Sequence, residues 1–474
     1  MVFSSSLFLV YFLPLFLLVY YAAARPYKNG VLLVFSVLFY AWGAPKFIFV
    51  LLGTTLLDFF LVQWMDRTTN QRWRKIALCI SVGINISLLF YFKYCNFFIE
   101  TINDVLHTAG IGPIKLLQVV MPIGISFYTF ETITYVVDVY RRIHKPLTNF
   151  WDYQTYIILF PKLIAGPIIR YHDIADSITN RSAQETIDNK LLGFYRFCLG
   201  LGKKVLVANA VGAYADDVFG TEISQQHSLT AWAGLLCYTM QIYFDFSGYS
   251  DMAIGLGKMM GFTFPENFNN PYTSQSITEF WRRWHITLGA WMRNYLYIPL
   301  GGNRVSNGRL YFNLWLVFLA SGLWHGASWN FVIWGAYHGA FLILDRIFLL
   351  DFYKKTGRLI STALTLLWVM IGWVFFRCET LPQAIAFIKQ LFAFNTSHAA
   401  ALPDMFTAAW LIVACVLALF VCMPFGQKLQ DNLYGNSYTV TRHLIVAIIC
   451  ALLFIWCLSV ITASNFNPFI YFRF

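Results

Sequence analysis

"SGLWHGASWNFVIWGAYHG" (321–339) is almost wholly apolar, yet it carries two histidines, His325 and His338. The rest of the chain decides the setting of this stretch. Of 474 residues, 58% are hydrophobic and only 12% charged, with a mean hydropathy of +0.58. A soluble protein of this length carries about twice that share of charge. The composition therefore predicts an all-α, polytopic helical membrane protein, in which 321–339 is an apolar segment with ionisable groups at membrane depth. Such groups are costly and usually serve a purpose.

Outward from that stretch, apolar runs long enough to span a bilayer occur at roughly 2–22, 30–44, 46–64, 76–98 and 118–140. Three of the intervening loops, "RPYK" (25–28), "DRTTNQRWRK" (66–75) and "RRIHK" (141–145), hold nine Lys/Arg, whereas "WGAPK" (42–46) and "IETINDVLHTAGIGPIK" (99–115) hold two. Basic loops stay in the cytoplasm, which puts the N-terminus outside. Spans at about 359–377, 407–424 and 444–462 continue the alternation, so both termini are expected to be extracytoplasmic. The opening "MVFSSSLFLVYFLPLFLLVYY" lacks a basic n-region and a small-residue cleavage site, and reads as a retained span. No polar linker or fixed-period repeat divides the chain, which reads as one membrane domain over 1–474.

The net charge of +11 fits cytoplasmic loops lying against anionic membrane lipid better than nucleic acid, and no nucleic-acid partner is expected. The nine cysteines form no C-x-x-C and read as buried small residues, so neither a disulfide framework nor a metal site is expected. "GLGKK" (200–204) and "GLGKMMG" (255–261) lack the spacing of phosphate or dinucleotide loops. No G-x-S-x-G elbow occurs.

The middle, 150–350, is apolar but repeatedly broken by charge, proline and glycine. Broken helices at membrane depth survive only when buried in protein or lining a wet cavity, so the function is expected here. "DFSGYSD" (245–251) has too few oxygen ligands for a calcium cage. It is either a hydrogen-bonded buried turn or part of a site. "SITEFWRRWHITLGAWMRNYLYIPLGGNR" (276–304) reads as an amphipathic helix with Trp281, His285, Leu288 and Met292 on one face and Arg282 and Arg293 on another. His285 and His325 each follow a tryptophan. A lone buried histidine is more often a packing residue than a catalyst. Two in such settings point to a general base for an alcohol, with His338 read as structural.

"MPIGISFYTFETITYVVDVYR" (121–141), "FPKLIAGPIIR" (160–170), "QIYFDFSGYSDMAIGLG" (241–257), "FWRRWHITL" (280–288), "YLYIPLGGNR" (295–304) and "GLWHGASWNFVIWG" (322–335) resemble the membrane-bound O-acyltransferase family. They are most similar to its bacterial branch that O-acetylates alginate, peptidoglycan or cellulose. The likeness weakens after about 380. It implies a ring of transmembrane helices around a thinned core, with cytoplasmic and extracytoplasmic funnels and a catalytic core at about 120–350. It implies His325 as the family's catalytic histidine and His285 as its second active-site position, held by His or Asn. The expected activity is O-acetyl transfer from cytoplasmic acetyl-CoA, without a metal, to an exported polysaccharide. An extracytoplasmic acetyltransferase partner of the SGNH type (AlgJ- or AlgX-like) is expected to finish the transfer.

Lys203, Lys204, Arg282 and Arg283 are candidate contacts for the anionic coenzyme, or else ordinary positive-inside charge. Trp281, Asp245, Tyr249, Trp324 and Asn303 lie in the same motifs and are candidate substrate-binding residues. A transporter or channel is the rival class, since broken helices also form permeation paths.

The chain closes on "NPFIYFRF" (467–474), four aromatics with one phenol, Tyr471. This tail is either an interfacial aromatic anchor or an acetyl relay. For the relay, it is similar to the tyrosine-containing tail of a small protein that works beside a family relative in D-alanylation. Phe469, Phe472 and Phe474 would hold the tail, and the Tyr471 hydroxyl would accept the acetyl group.

Overall fold

The structure is a computed structural model and describes residues 2–223, 226–394, 402–420, 425–426, 428–429, 432 and 438–464. The tail 467–474, with Tyr471, lies outside the described residues. No strand occurs among the described residues, only one isolated β-bridge, Phe268 to Trp284. Two compact units are present: residues 1–186 with 257–264, and residues 187–256 with 265–474.

The first unit holds α1 (Leu7–Ala22), α2 (Lys28–Gly43), α3 (Ile48–Arg67), α4 (Gln71–Thr108), α5 (Ile125–Tyr140), α6 (Phe150–Ile158) and α7 (Tyr171–Thr179). Two buried carboxylates inside it are paired, as burial in an apolar medium favours. Asp58 on α3 accepts from Ser81 and, at 2.8 Å, from Asn85 on α4. Glu131 and Lys162 form an ion pair with both side chains fully buried.

The sequence-based boundaries shift here in two places. Residues 99–108 are helical, continuing α4, because "CNFFIETINDVL" keeps the 3.6-residue apolar period. The span expected at 118–140 begins only at Ile125. Gly124 takes a left-handed φ of 76°, and a Cβ there would stand 2.7 Å from the Leu163 carbonyl oxygen, which excludes a continuous helix of ordinary residues.

The second unit contains α8 (Ile187–Gly202), α9 (Asn209–Gly220), α10 (Ser228–Met259), α11 (Ile277–Arg283), α12 (Ile286–Trp291), α13 (Asn307–His325), α14 (Trp329–Leu344), α15 (Arg358–Arg377), α16 (Leu381–Leu391), α17 (Met405–Phe420) and α18 (Val440–Ala463). Five helices of the described chain are long and apolar enough to cross a membrane.

"DFSGYSD" is not a turn: it lies within α10, and its glycine serves packing. A Cβ on Gly248 would come within 2.7 Å of the Gly200 carbonyl oxygen on α8. The two helices touch backbone to backbone, an arrangement favoured where lipid removes the hydrophobic drive for helix association. α13 and α14 form a hairpin of the same kind, since a Cβ on Gly335 would run into the Phe318 carbonyl oxygen.

Candidate active site

The single amphipathic helix expected over 276–304 is broken. α11 stops at Arg283, His285 takes a left-handed backbone (φ 45°, ψ 53°), and α12 starts at Ile286. The loop before α11 causes the break. Asn269 N–H donates to the Arg283 carbonyl at 2.9 Å, and Ile286 N–H donates to the Asn267 carbonyl at 3.0 Å. The backbone hydrogen bonds a helix would make internally are thus made across to this loop. A histidine held at positive φ is uncommon and costs energy, and such strain collects at functional sites.

The break turns His285 toward α13. Its ring centre lies 6.5 Å from that of His325 and 6.0 Å from that of Trp324. His325 ends α13 and is 5% exposed. It is packed edge-on against Trp324, Trp334 and Phe376, with ring centres 4.9–5.2 Å apart. His285 is equally buried and 4.8 Å from the Phe246 ring of α10. Its Nδ1 lies 3.1 Å from Asn267 Oδ1. The structure thus brings the two sequence-predicted histidines together from separate elements.

Three cavities lie among the elements that carry these residues, and His285 lines one of them. The first, of about 390 Å³, is lined by Trp281, His285, Leu288 and Met292, the four residues expected to share a helix face. They share a cavity instead. Arg282, Arg293 and Arg346 also line it, and none of these arginines pairs with a carboxylate among the described residues. Asn303 stands beside it, accepting from the Tyr297 hydroxyl at 2.5 Å and from Arg346 at 3.5 Å. The second, of about 380 Å³, reaches Asn267 and Ser250; Lys203 and Asp251 line its polar side, Trp410 and Trp456 its apolar side. The third, of about 850 Å³, lies past the end of α13 and is lined by Gly326, Ser328, Phe376 and Arg377.

Other sequence candidates fall elsewhere. Arg283 is held by Glu279 at 2.7 Å and does not line the arginine cavity. Lys203 pairs with Asp251 at 2.6 Å. Lys204 pairs with Asp245 at 2.7 Å, both nearly wholly buried, so this pair holds α10 against the turn that follows α8. Tyr249 is buried in α10 and lines none of the three cavities. His338 is fully buried, with its ring 5.0 Å from that of Trp281. Among the described residues no cluster of three or more His, Cys, Asp or Glu suits a metal ion.

Sequence reasoning missed Asn267, Arg346 and Tyr297 as site residues. The run "ENFNNPY" (266–272), rich in Asn before a Pro, was a signal for a structured loop, but nothing local says which side chain it meets.

A buried histidine pair, one member of which lines an arginine-rich cavity, lies inside an all-helical multi-pass membrane protein. The model of the membrane-bound O-acyltransferase family matches residues 139–378, and the chain belongs to that family. It is an O-acyltransferase. It is 41% identical to a Pseudomonas putida protein named "Probable alginate O-acetylase AlgI", over 100% of both chains. The protein of that name from Pseudomonas aeruginosa is 43% identical over 90% of this chain and 82% of its own. A peptidoglycan O-acetyltransferase from Helicobacter pylori is 34% identical over 83% of this chain and 80% of its own.

Proposed function

We propose that this chain is a polysaccharide O-acetyltransferase of the alginate type, drawing on acetyl-CoA at the cytoplasmic face of a bacterial inner membrane. The observation that carries the reading is the His285–His325 pair, with His285 forming part of an arginine-lined cavity. Guanidinium groups suit phosphates, so Arg282, Arg293 and Arg346 hold the coenzyme while its thioester reaches the histidines. Basic groups collect on the cytoplasmic side, which favours this cavity as the donor entrance.

His325 takes the proton of the attacking hydroxyl. The oxygen adds to the thioester carbonyl carbon, and the C–S bond breaks. The coenzyme A thiolate leaves with the proton returned by the imidazolium. The large coenzyme stays inside and only the acetyl group passes outward. The whole chain acts as one membrane domain, with both termini outside.

The hydroxyl is that of Tyr471, and an SGNH-type extracytoplasmic partner passes the acetyl group from there to the polymer. A phenyl acetate is an activated donor, because phenoxide, of pKa about 10, leaves far more readily than an alkoxide. Alginate is favoured as the final acceptor by the full-length likeness to alginate O-acetylases. The likeness to a peptidoglycan O-acetyltransferase supports peptidoglycan as a second reading.

The test is release of free coenzyme A thiol from acetyl-CoA by purified protein, followed by mass spectrometry of alginate and peptidoglycan fragments incubated with the partner. Solute flux in liposomes without thiol release would sink the proposal.

A further inference from the structure

The orientation of Asn267 decides how His285 meets a substrate. Asn267 is 1% exposed, and its Oδ1 faces three groups. The Thr287 backbone N–H lies at 3.4 Å, the Thr287 hydroxyl at 2.9 Å and His285 Nδ1 at 3.1 Å. On its other side Nδ2 donates to Ser250 Oγ of α10 at 3.1 Å. A side-chain amide can be placed either way round, and its neighbours must choose. A backbone N–H can only donate. The atom facing Thr287 N–H is therefore the oxygen, because a flipped amide would set N–H against N–H.

That choice propagates to the imidazole. An amide oxygen only accepts, so His285 Nδ1 carries a hydrogen and donates it. Neutral imidazole has one ring N–H, which leaves Nε2 as a bare lone pair. Nε2 is buried and has no hydrogen-bond partner among the described residues, and His285 lines the arginine cavity. A buried acceptor without a partner is an exception that asks for a ligand.

We infer that Asn267 is a positioning residue: it locks His285 in the Nδ1–H tautomer, so that Nε2 accepts a hydrogen bond from an N–H or O–H of the bound substrate. Neutral His285 then orients the substrate and does not donate to the oxyanion. The left-handed backbone at His285 serves this lock, since the Ile286 N–H bond to the Asn267 carbonyl ties the two residues together. Only the activity arm of the test rests on the proposed acetyl transfer.

The test uses the full-length protein in detergent with ¹⁵N-labelled histidine, the His285 signals being identified by their loss in His285→Asn. In the wild type, His285 shows a protonated Nδ1 and an unprotonated Nε2. Asn267→Asp keeps an accepting oxygen and keeps this signature. Asn267→Leu is close in size, removes the acceptor and loses the signature. Coenzyme A release falls about tenfold or more in Asn267→Leu; a wrong tautomer costs up to about 10⁴-fold in hydrolytic triads. The fall appears in kcat, with KM for acetyl-CoA held, and Asn267→Asp restores most of it. A wild-type His285 protonated on Nε2 overturns the inference, whatever the activity. So does an Asn267→Leu protein with wild-type kcat. If Asn267→Leu does not fold, the wild-type and Asn267→Asp spectra still decide. A protein with the expected tautomer but no thiol release refutes the proposed function and leaves the lock standing.

Discussion

The imidazoles of His285 and His325 lie 6.5 Å apart, centre to centre, with their planes inclined at 60°. One sits in a break between two short helices and the other at the end of a long one. Neither is well placed by its own segment.

His325→Ala is expected to abolish coenzyme A release and polymer acetylation while the protein still folds. The ring packs against three aromatics, so a fall in melting temperature of a few degrees, corresponding to about 1–2 kcal/mol, is expected. Normal acetylation would remove His325 as the base. Loss of nearly all folded protein would make its role one of packing.

At His285 the expected order is wild type, then Asn, then Ala. An amide keeps hydrogen-bonding groups near Asn267, whereas alanine removes them and leaves Asn267 Oδ1 without one of its donors. Steady-state rates of thiol release for the two variants would check this. Two variants with wild-type rates would assign His285 to packing alone.

Arginines that line the cavity should behave unlike the paired cations. Arg282→Gln and Arg293→Gln are expected to raise KM for acetyl-CoA several-fold with little change in melting temperature. Lys204→Met should instead destabilise the fold, because it leaves the Asp245 carboxylate in an apolar setting without its cation. Breaking a buried pair from one side costs about 3–5 kcal/mol. A Lys204→Met protein of normal stability but raised KM would reverse the two assignments.

Tyr471→Phe separates relay from anchor at one atom. The relay predicts loss of polymer acetylation and of an acetyl ester on the tail peptide, seen by mass spectrometry after incubation with acetyl-CoA. Near-normal activity in this variant would leave the tail an interfacial anchor.

Gly248→Ala should lower the melting temperature, with a cost of about 1–3 kcal/mol from overpacking, since its Cβ would press on the Gly200 carbonyl oxygen at 2.7 Å. Gly53→Ala, where a Cβ meets nothing within 4 Å, is the control and should leave stability unchanged or slightly raised, alanine being the better helix former. Equal melting temperatures for the two variants would contradict the close approach of α8 and α10.

The helical membrane character and four of the eight expected spans were legible in the sequence, because they rest on local properties. Apolar run length reports a span, as at Arg358–Arg377 and Val440–Ala463. An ionisable group inside an apolar stretch draws attention to a position, as at His325. Tertiary structure alone decided the rest. The period of "FWRRWHITL" argues for one helix, and the break at His285 exists only because residues 267–269 supply backbone partners from outside it. Lys203, Lys204, Arg282, Arg283 and Arg293 look alike as charges. Which of them face a cavity, and which are cancelled by Asp251, Asp245 or Glu279, depends on helix packing. Asn267 carried no periodic signal at all. Its oxygen became a tautomer lock only when the chain folded Thr287 N–H and His285 Nδ1 against it. Hydrophobic pattern is a property of neighbours along the chain, whereas hydrogen-bond partnership is a property of neighbours in space.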